Sequence, residues 1–352
     1  MSRNRNAIEK ALGAPLAALF GLTLAYGFSA CSGEGATLPP DLQDSSVDTG
    51  HNLPDGGGNT DAGNDAYVPP NDAASDARDT GSDASPGSGT VLRIAAANLS
   101  SGNGQSYSEP GTRILQGLKP DIVAIQEFNV ASNSDKDIRT FVDTAFGTDF
   151  SYFRETGATI PNGVISRYPM VAKGEWDDTV VPDRDFVWAK LDIPGDKDLW
   201  VISVHLKAGS GTSDEDKRAD QAKALEGFIV QQAIPASDYV VLGGDFNTGA
   251  REESCVTMFS SRFVTAGPYP VDGAGNDKTN APRSKPYDWV LADPRMNALA
   301  TEVHVGTKIF TNGLVFDSRV YTPLTDVAPA QSDDSAATGM QHMAVVRDFR
   351  IP

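Results

Sequence analysis

The sequence predicts a mixed α/β domain, with sheets covered by helices, and three observations carry that prediction. Short apolar, β-branched runs bounded by turn residues recur from Val91 onward. Between some of them lie stretches with apolar residues at helical spacing. The two kinds alternate only in part, which argues against a simple parallel β-α repeat.

Val91 to Ala97 reads as a buried strand, Gly111 to Leu118 as a helix, and Asp121 to Gln126 as a second buried strand. A helix follows over Asp137 to Phe146, then strands over Asn162 to Ser166, Phe186 to Ile193 and Leu199 to Leu206. Asp214 to Gln232 is the strongest helix: Ala219, Ala222, Leu225, Phe228 and Ile229 share a face, and acids crowd the first turn, where the helix dipole favours them. The last strands are Tyr239 to Gly243, Tyr287 to Ala292 and Met343 to Phe349.

The 90 residues before this region differ in kind. Arg3, Arg5 and Lys10 precede the apolar stretch Ala11 to Ala30, which ends Phe28-Ser29-Ala30-Cys31, the order of an export signal. The last four residues resemble a bacterial lipobox, with Phe28 where Leu is usual. That resemblance implies acylation of Cys31 and, with Ser32 following, an outer-membrane or cell-surface location. An uncleaved signal anchor is the alternative, since the stretch nearly spans a bilayer. Residues 31–89 are Gly-, Asp-, Ala-, Ser- and Pro-rich, with Tyr67 as their one aromatic, and predict a flexible acidic tether. Their Asp-Ala pairs lack the glycine turn and bidentate acid of a calcium loop. The chain therefore divides into a signal (1–30), a tether (31–89) and a folded domain (90–352).

Net charge is −18, and the tether is not its only source: residues 1–90 hold 4 Lys and Arg against 12 Asp and Glu, the remainder 25 against 35. An acidic body offers no general attraction for a polyanion, so a nucleic-acid substrate would need a local patch or a metal. Cys31 and Cys255 lie in regions too different to predict a disulfide.

The informative feature is where the strands stop. The second strand runs into Gln126-Glu127, the run Val201 to Val204 into His205, and Tyr239 to Leu242 through Gly243-Gly244 into Asp245-Phe246-Asn247. Asn98 follows the first strand, Asp288 sits in Tyr287-Asp288-Trp289, and His342 precedes the last. On a continuing strand Asp245 and Asn247 would share a face and Phe246 would turn to the core, while the two glycines would admit a close neighbour. Singly, each residue has a plain reading as a turn cap or a hydrogen-bonded core group. Jointly they would bury charge that needs a counter-charge or a metal. Oxygen donors such as Asn98 and Glu127 suit Mg²⁺, with Mn²⁺ or Ca²⁺ possible, and there is no Cys/His cluster for zinc. His304 has no such company and reads as structural.

Taken in order, Asn98, Pro120-Asp121-Ile122-Val123-Ala124-Ile125-Gln126-Glu127, Asn162-Gly163-Val164-Ile165-Ser166-Arg167, Ser203-Val204-His205, Gly244-Asp245-Phe246-Asn247, Tyr287-Asp288-Trp289 and His342 resemble the endonuclease/exonuclease/phosphatase superfamily over about residues 91–352. The resemblance implies a four-layer αββα sandwich of two mainly antiparallel sheets flanked by helices. It implies that Asn98 and Glu127 hold the metal, that Asp245 activates water with Asn247 beside it, that His205 donates to the phosphoryl group, and that His342 is a second catalytic histidine oriented by Asp288. Asn162, Arg283 and Lys285 are the candidate substrate-binding residues, although the loop carrying the last two could equally be solvated. Two departures stand out: Gln341 replaces an aspartate, with Asp333 and Asp334 nearby as possible substitutes, and Ser100 stands where some nucleases carry Asp.

The expectation is an exported, monomeric, metal-dependent phosphodiesterase, anchored to a membrane through Cys31 and acting on nucleic acid. A phospholipid headgroup or sugar phosphate is the alternative substrate. The rival from another class is a non-catalytic surface binding protein with the same fold, which Gln341 alone favours.

Overall fold

The structure is a computed structural model that describes residues 89–352. The export signal, Cys31 and most of the tether lie outside the described residues. In chain order the elements are β1 (Thr90–Ala97), α1 (Glu109–Leu118), β2 (Ile122–Ile125), α2 (Asp135–Ala145), β3 (Ser151–Arg154), β4 (Gly163–Ser166), β5 (Met170–Trp176), β6 (Phe186–Leu191) and β7 (Leu199–His205). There follow α3 (Thr212–Gln231), β8 (Tyr239–Asp245), α4 (Ser254–Phe259), β9 (Asp288–Ala292), α5 (Pro294–Asn297), β10 (Ala300–Thr301), β11 (Val303–Val305), β12 (Lys308–Phe310), β13 (Leu314–Phe316) and β14 (Ala344–Ile351).

β11 and β12 form a small two-stranded sheet; of the two large sheets, one runs β10-β14-β1-β2-β4-β3, with β13 also on β14, and the other runs β5-β6-β7-β8-β9. Each contains one parallel pair, β1 with β2 and β7 with β8, and the other pairings are antiparallel. The parallel pairs are joined through α1 and α3, as a parallel connection requires a crossover.

The period-2 alternation of strands creates the layers. Leu92, Ile94 and Ala96 of β1 pack against the second sheet's Val187, Ala189, Val201 and Val241. Ala95 and Ala97 face the other way, into a cluster with Leu115 of α1 and Ile138 and Phe141 of α2. Ile202 and Val204 of β7 meet Leu225 of α3 and Phe259 of α4. The result is helix, sheet, sheet, helix, the four-layer sandwich the resemblance implied. Local signals agree: Ser134 caps α2 by accepting from the Asp137 N–H, and Asp214 and Glu215 occupy the first turn of α3.

The glycine pair before Asp245 admits close neighbours, and these are parts of the protein itself. A Cβ on Gly243 would stand 3.0 Å from the Ala124 Cβ, and one on Gly244 would stand 2.0 Å from the Val204 carbonyl oxygen and 2.9 Å from Gln126 Nε2. The Ala124 and Gln126 contacts let the two sheets close on one another, and the Val204 contact lies between the paired strands β7 and β8 of the second sheet. A polar tie spans the same gap, with Gln126 Nε2 donating to Ser203 Oγ at 2.9 Å and Ser203 Oγ donating to the Ile125 carbonyl at 3.1 Å.

Candidate active site

Strand register assembles half of the site. His205 pairs with Asp245 between parallel β7 and β8, and Asp245 pairs with Asp288 between antiparallel β8 and β9, so three polar residues form one rung of the second sheet. The first sheet supplies the rest from its facing ends: Asn98 after β1, Glu127 after β2, and His342 before β14. The carboxyl ends of both parallel pairs thus converge, the position where open α/β sheets present ligand-binding groups.

Asp245 is the hub. Its Oδ2 lies 3.1 Å from His205 Nε2 and 3.4 Å from His342 Nε2, and accepts from the side-chain amides of Asn98 and Asn247, each at 3.2 Å. Its Oδ1 accepts from the Asn247 backbone N–H at 2.8 Å. His342 Nδ1 lies 3.0 Å from Asp288 Oδ2. Asn247 joins the cluster by a different route from the one a continuing strand would take. β8 ends at Asp245, and Asn247 turns back with φ +53°, its amide also donating to the Leu206 carbonyl at 3.1 Å. Phe246 does point inward, stacked on Trp289.

Electrostatics follow from this packing. Burial alone would raise Asp245, but His342 and His205 outweigh it and hold the carboxyl well below the usual range, hence ionised. Burial works against charge on His342 too, yet Asp288 and Asp245 push it up to about 10, so it is an imidazolium at neutral pH. Burial raises the Asp288 carboxyl to about 6, with His342 opposing.

The oxygen-rich side of the site fits a hard cation. Glu127 is 3% exposed, with φ +51°, and has no basic partner among the described residues. The Asn98 amide reaches it at 3.2 Å, and Asn98 Oδ1 is buried without a hydrogen-bond donor. Buried, unpaired oxygen donors beside a carboxylate are what a cation such as Mg²⁺ would satisfy. A second donor set, Asp245, Asp288 and His342, has ligand atoms within 4.8 Å of one another. There both histidine nitrogens already face carboxylates, and an imidazolium neutralises the charge a cation would.

Other expectations are corrected. Arg283 does not present a free cation: its guanidinium pairs with Asp272 and, at 3.3 Å, with Asp317. Asp334 does not stand in for the missing acid, because it is buried against Arg113 of α1. Gln341 is exposed and accepts from the Ala281 N–H through its backbone oxygen. Lys285 is half-buried with no ion-pair partner among the described residues. Asn162 is buried, donates to the Asp185 carbonyl at 2.6 Å and leaves Oδ1 unpaired, but makes no hydrogen bond to the cluster. His304 is exposed on β11, 3.4 Å from Glu302.

Two further residues adjoin the site, and of these only Gln105 carries no sequence signal. Gln105, in a Ser/Gly/Asn loop without periodicity, donates from Nε2 to Glu127 Oε1 at 2.9 Å. Tyr287 places its ring 5.5 Å from that of His342.

The chain resembles sphingomyelinase C of Bacillus cereus, being 29% identical over 136 residues, which are 35% of this chain and 39% of the relative. A second sphingomyelinase C from that organism is 32% identical over 115 residues, 29% of this chain and 34% of the relative. The chain thus spans less than half the length of the curated relatives it matches. Among solved structures, the human nocturnin catalytic domain is similar at TM-score 0.51 and 14% identity, covering 74% of this chain and 95% of that one. A Beutenbergia cavernae endonuclease/exonuclease/phosphatase is similar at TM-score 0.50 and 17% identity, covering 74% and 72%. At these identities the likeness speaks for the fold. The family model described as the endonuclease/exonuclease/phosphatase family matches residues 97–312, from the end of β1 through both sheets to the loop after β12, and the chain belongs to that family.

Proposed function

We propose that this chain is a metal-dependent phosphodiesterase that hydrolyses its substrate by attack of water at phosphorus. The observation that carries the reading is the convergence of an ionised Asp245 with His205 and His342 at the facing ends of the two sheets. Asp245, locked by the Asn247 N–H, orients the attacking water and accepts its proton. Two histidines lower its basicity, so it positions water as much as it deprotonates it. His205 donates to a phosphoryl oxygen, and the His342 imidazolium, anchored by Asp288, supplies positive charge and a proton to the ester oxygen that leaves as the P–O bond breaks. A divalent cation held by Asn98 and Glu127 would neutralise the phosphate and polarise it.

Nucleic acid is the proposed substrate, and the comparisons favour a specific second reading. Relatives named sphingomyelinase C support a phospholipid headgroup, and so does the internal pairing of Arg283, which removes one cation from any polyanion-binding loop. Assays of the full chain with Mg²⁺ or Mn²⁺, with and without chelator, against DNA, RNA, sphingomyelin vesicles and sugar phosphates distinguish these. Inertness on every substrate would refute the proposal. Export and acylation at Cys31 rest on the order of residues 3–31 alone, and the intact mass of membrane-extracted protein tests them.

A further inference from the structure

Glu127 is contacted by three polar side chains and, among the described residues, by no cationic one. Its Oε1 accepts from Asn98 Nδ2 at 3.2 Å and from Gln105 Nε2 at 2.9 Å, and its Oε2 accepts from Ser100 Oγ. Gln105 is otherwise exposed, so its side chain reaches inward across the mouth of the site. The loop is shaped for that reach. Gly104 and Gln105 both adopt left-handed backbone, at φ +68° and +53°, and bridges between Gly102 and Ser106 and between Ser106 and Asn129 pin the loop to the segment just after Glu127.

Octahedral ligands 2.0–2.1 Å from Mg²⁺ stand roughly 2.9 Å apart when adjacent. The amide ends of Gln105 and Asn98 stand about that far from Glu127 Oε1. A half-turn of a terminal amide exchanges its nitrogen and oxygen with almost no change of shape. Asn98 Oδ1, buried and without a donor, is the independent sign that oxygens at this spot await a partner. Gln341, exposed and turned to Ala281 through its backbone, is not placed to supply one.

We propose that Gln105 is a metal ligand, its Oε1 joining Asn98 and Glu127 around one divalent cation. The inference rests on the metal-dependent reading above and adds a residue to it. The competing role is a cover, in which Gln105 merely satisfies Glu127 and must be displaced when metal arrives. The two roles have opposite signs. Mn²⁺ is titrated into the full chain by calorimetry, for the wild type, Gln105→Leu and Gln105→Glu, with melting in chelator as the check on folding. A ligand predicts that Gln105→Leu weakens Mn²⁺ about tenfold, or 1.4 kcal/mol, and that Gln105→Glu binds at least as tightly as wild type. Unchanged or tighter binding by Gln105→Leu would overturn the ligand role while leaving metal dependence standing. Absence of Mn²⁺ binding by the wild type would overturn both.

Discussion

His342 and Asp288 come from opposite sheets and meet with Nδ1 and Oδ2 3.0 Å apart, a contact that exists only because the sandwich closes over the site. Asp288 is the larger of the charges that hold His342 protonated up to about 10. Activity is therefore expected to fall at the alkaline end as His342 loses its proton near 10, and at the acid end as Asp288 protonates near 6. Asp288→Asn removes the anion that stabilises the imidazolium, so the alkaline limb of kcat/KM moves down in pH. An unmoved limb would dissociate His342 from the profile. Stability has the same sign: a histidine raised above its unfolded value of about 6.5 contributes stability fully present below that value and lost as pH rises through about 10.

Asp245→Asn keeps the shape of the hub and removes its charge. Loss of a positioned acid-base group costs about 10²–10⁴-fold in rate, and kcat is expected to fall by that amount. Glu127→Gln should instead abolish the rise in melting temperature on adding Mg²⁺ or Mn²⁺, since a cation that binds the folded state stabilises it by mass action. If both variants kept full turnover and metal response, this site would not be where the chemistry occurs.

Arg283 and Lys285, two residues apart, should behave oppositely. Arg283→Ala strands Asp272, 5% exposed, leaves Asp317, 2% exposed, to Arg319 alone, and is expected to destabilise the fold by about 3 kcal/mol. Arg319, still 2.7 Å from Asp317, keeps the loss near the low end. Lys285→Ala should leave the melting temperature nearly unchanged and raise KM for an anionic substrate. Denaturant melts and steady-state kinetics on the pair read both effects.

Gly244→Ala tests how closely β8 pairs with β7 within the second sheet. With φ +142° and the Val204 carbonyl in the way of any Cβ, the backbone must shift. Overpacking of this kind costs about 1–3 kcal/mol, and Asp245 next door should be displaced with it. A stable, fully active variant would show that β7 and β8 yield to a methyl group at this rung without cost.

The sequence by itself determined the long helix α3, the strands that form the centre of each sheet, and which polar residues end them. Those features are local, because burial on both faces writes an unbroken apolar run and helix burial writes a 3.6-residue period. The short edge elements β3, β5 and β10 to β13 escaped it, since partly exposed or three-residue strands carry little pattern. Only the tertiary structure decided that Arg283 is spent on Asp272 and Asp317, that Asp334 belongs to Arg113, that Gly244 serves sheet contact, and that Gln105 reaches Glu127. Each is set by how strands and sheets pack and where the loops turn, and no local period records it.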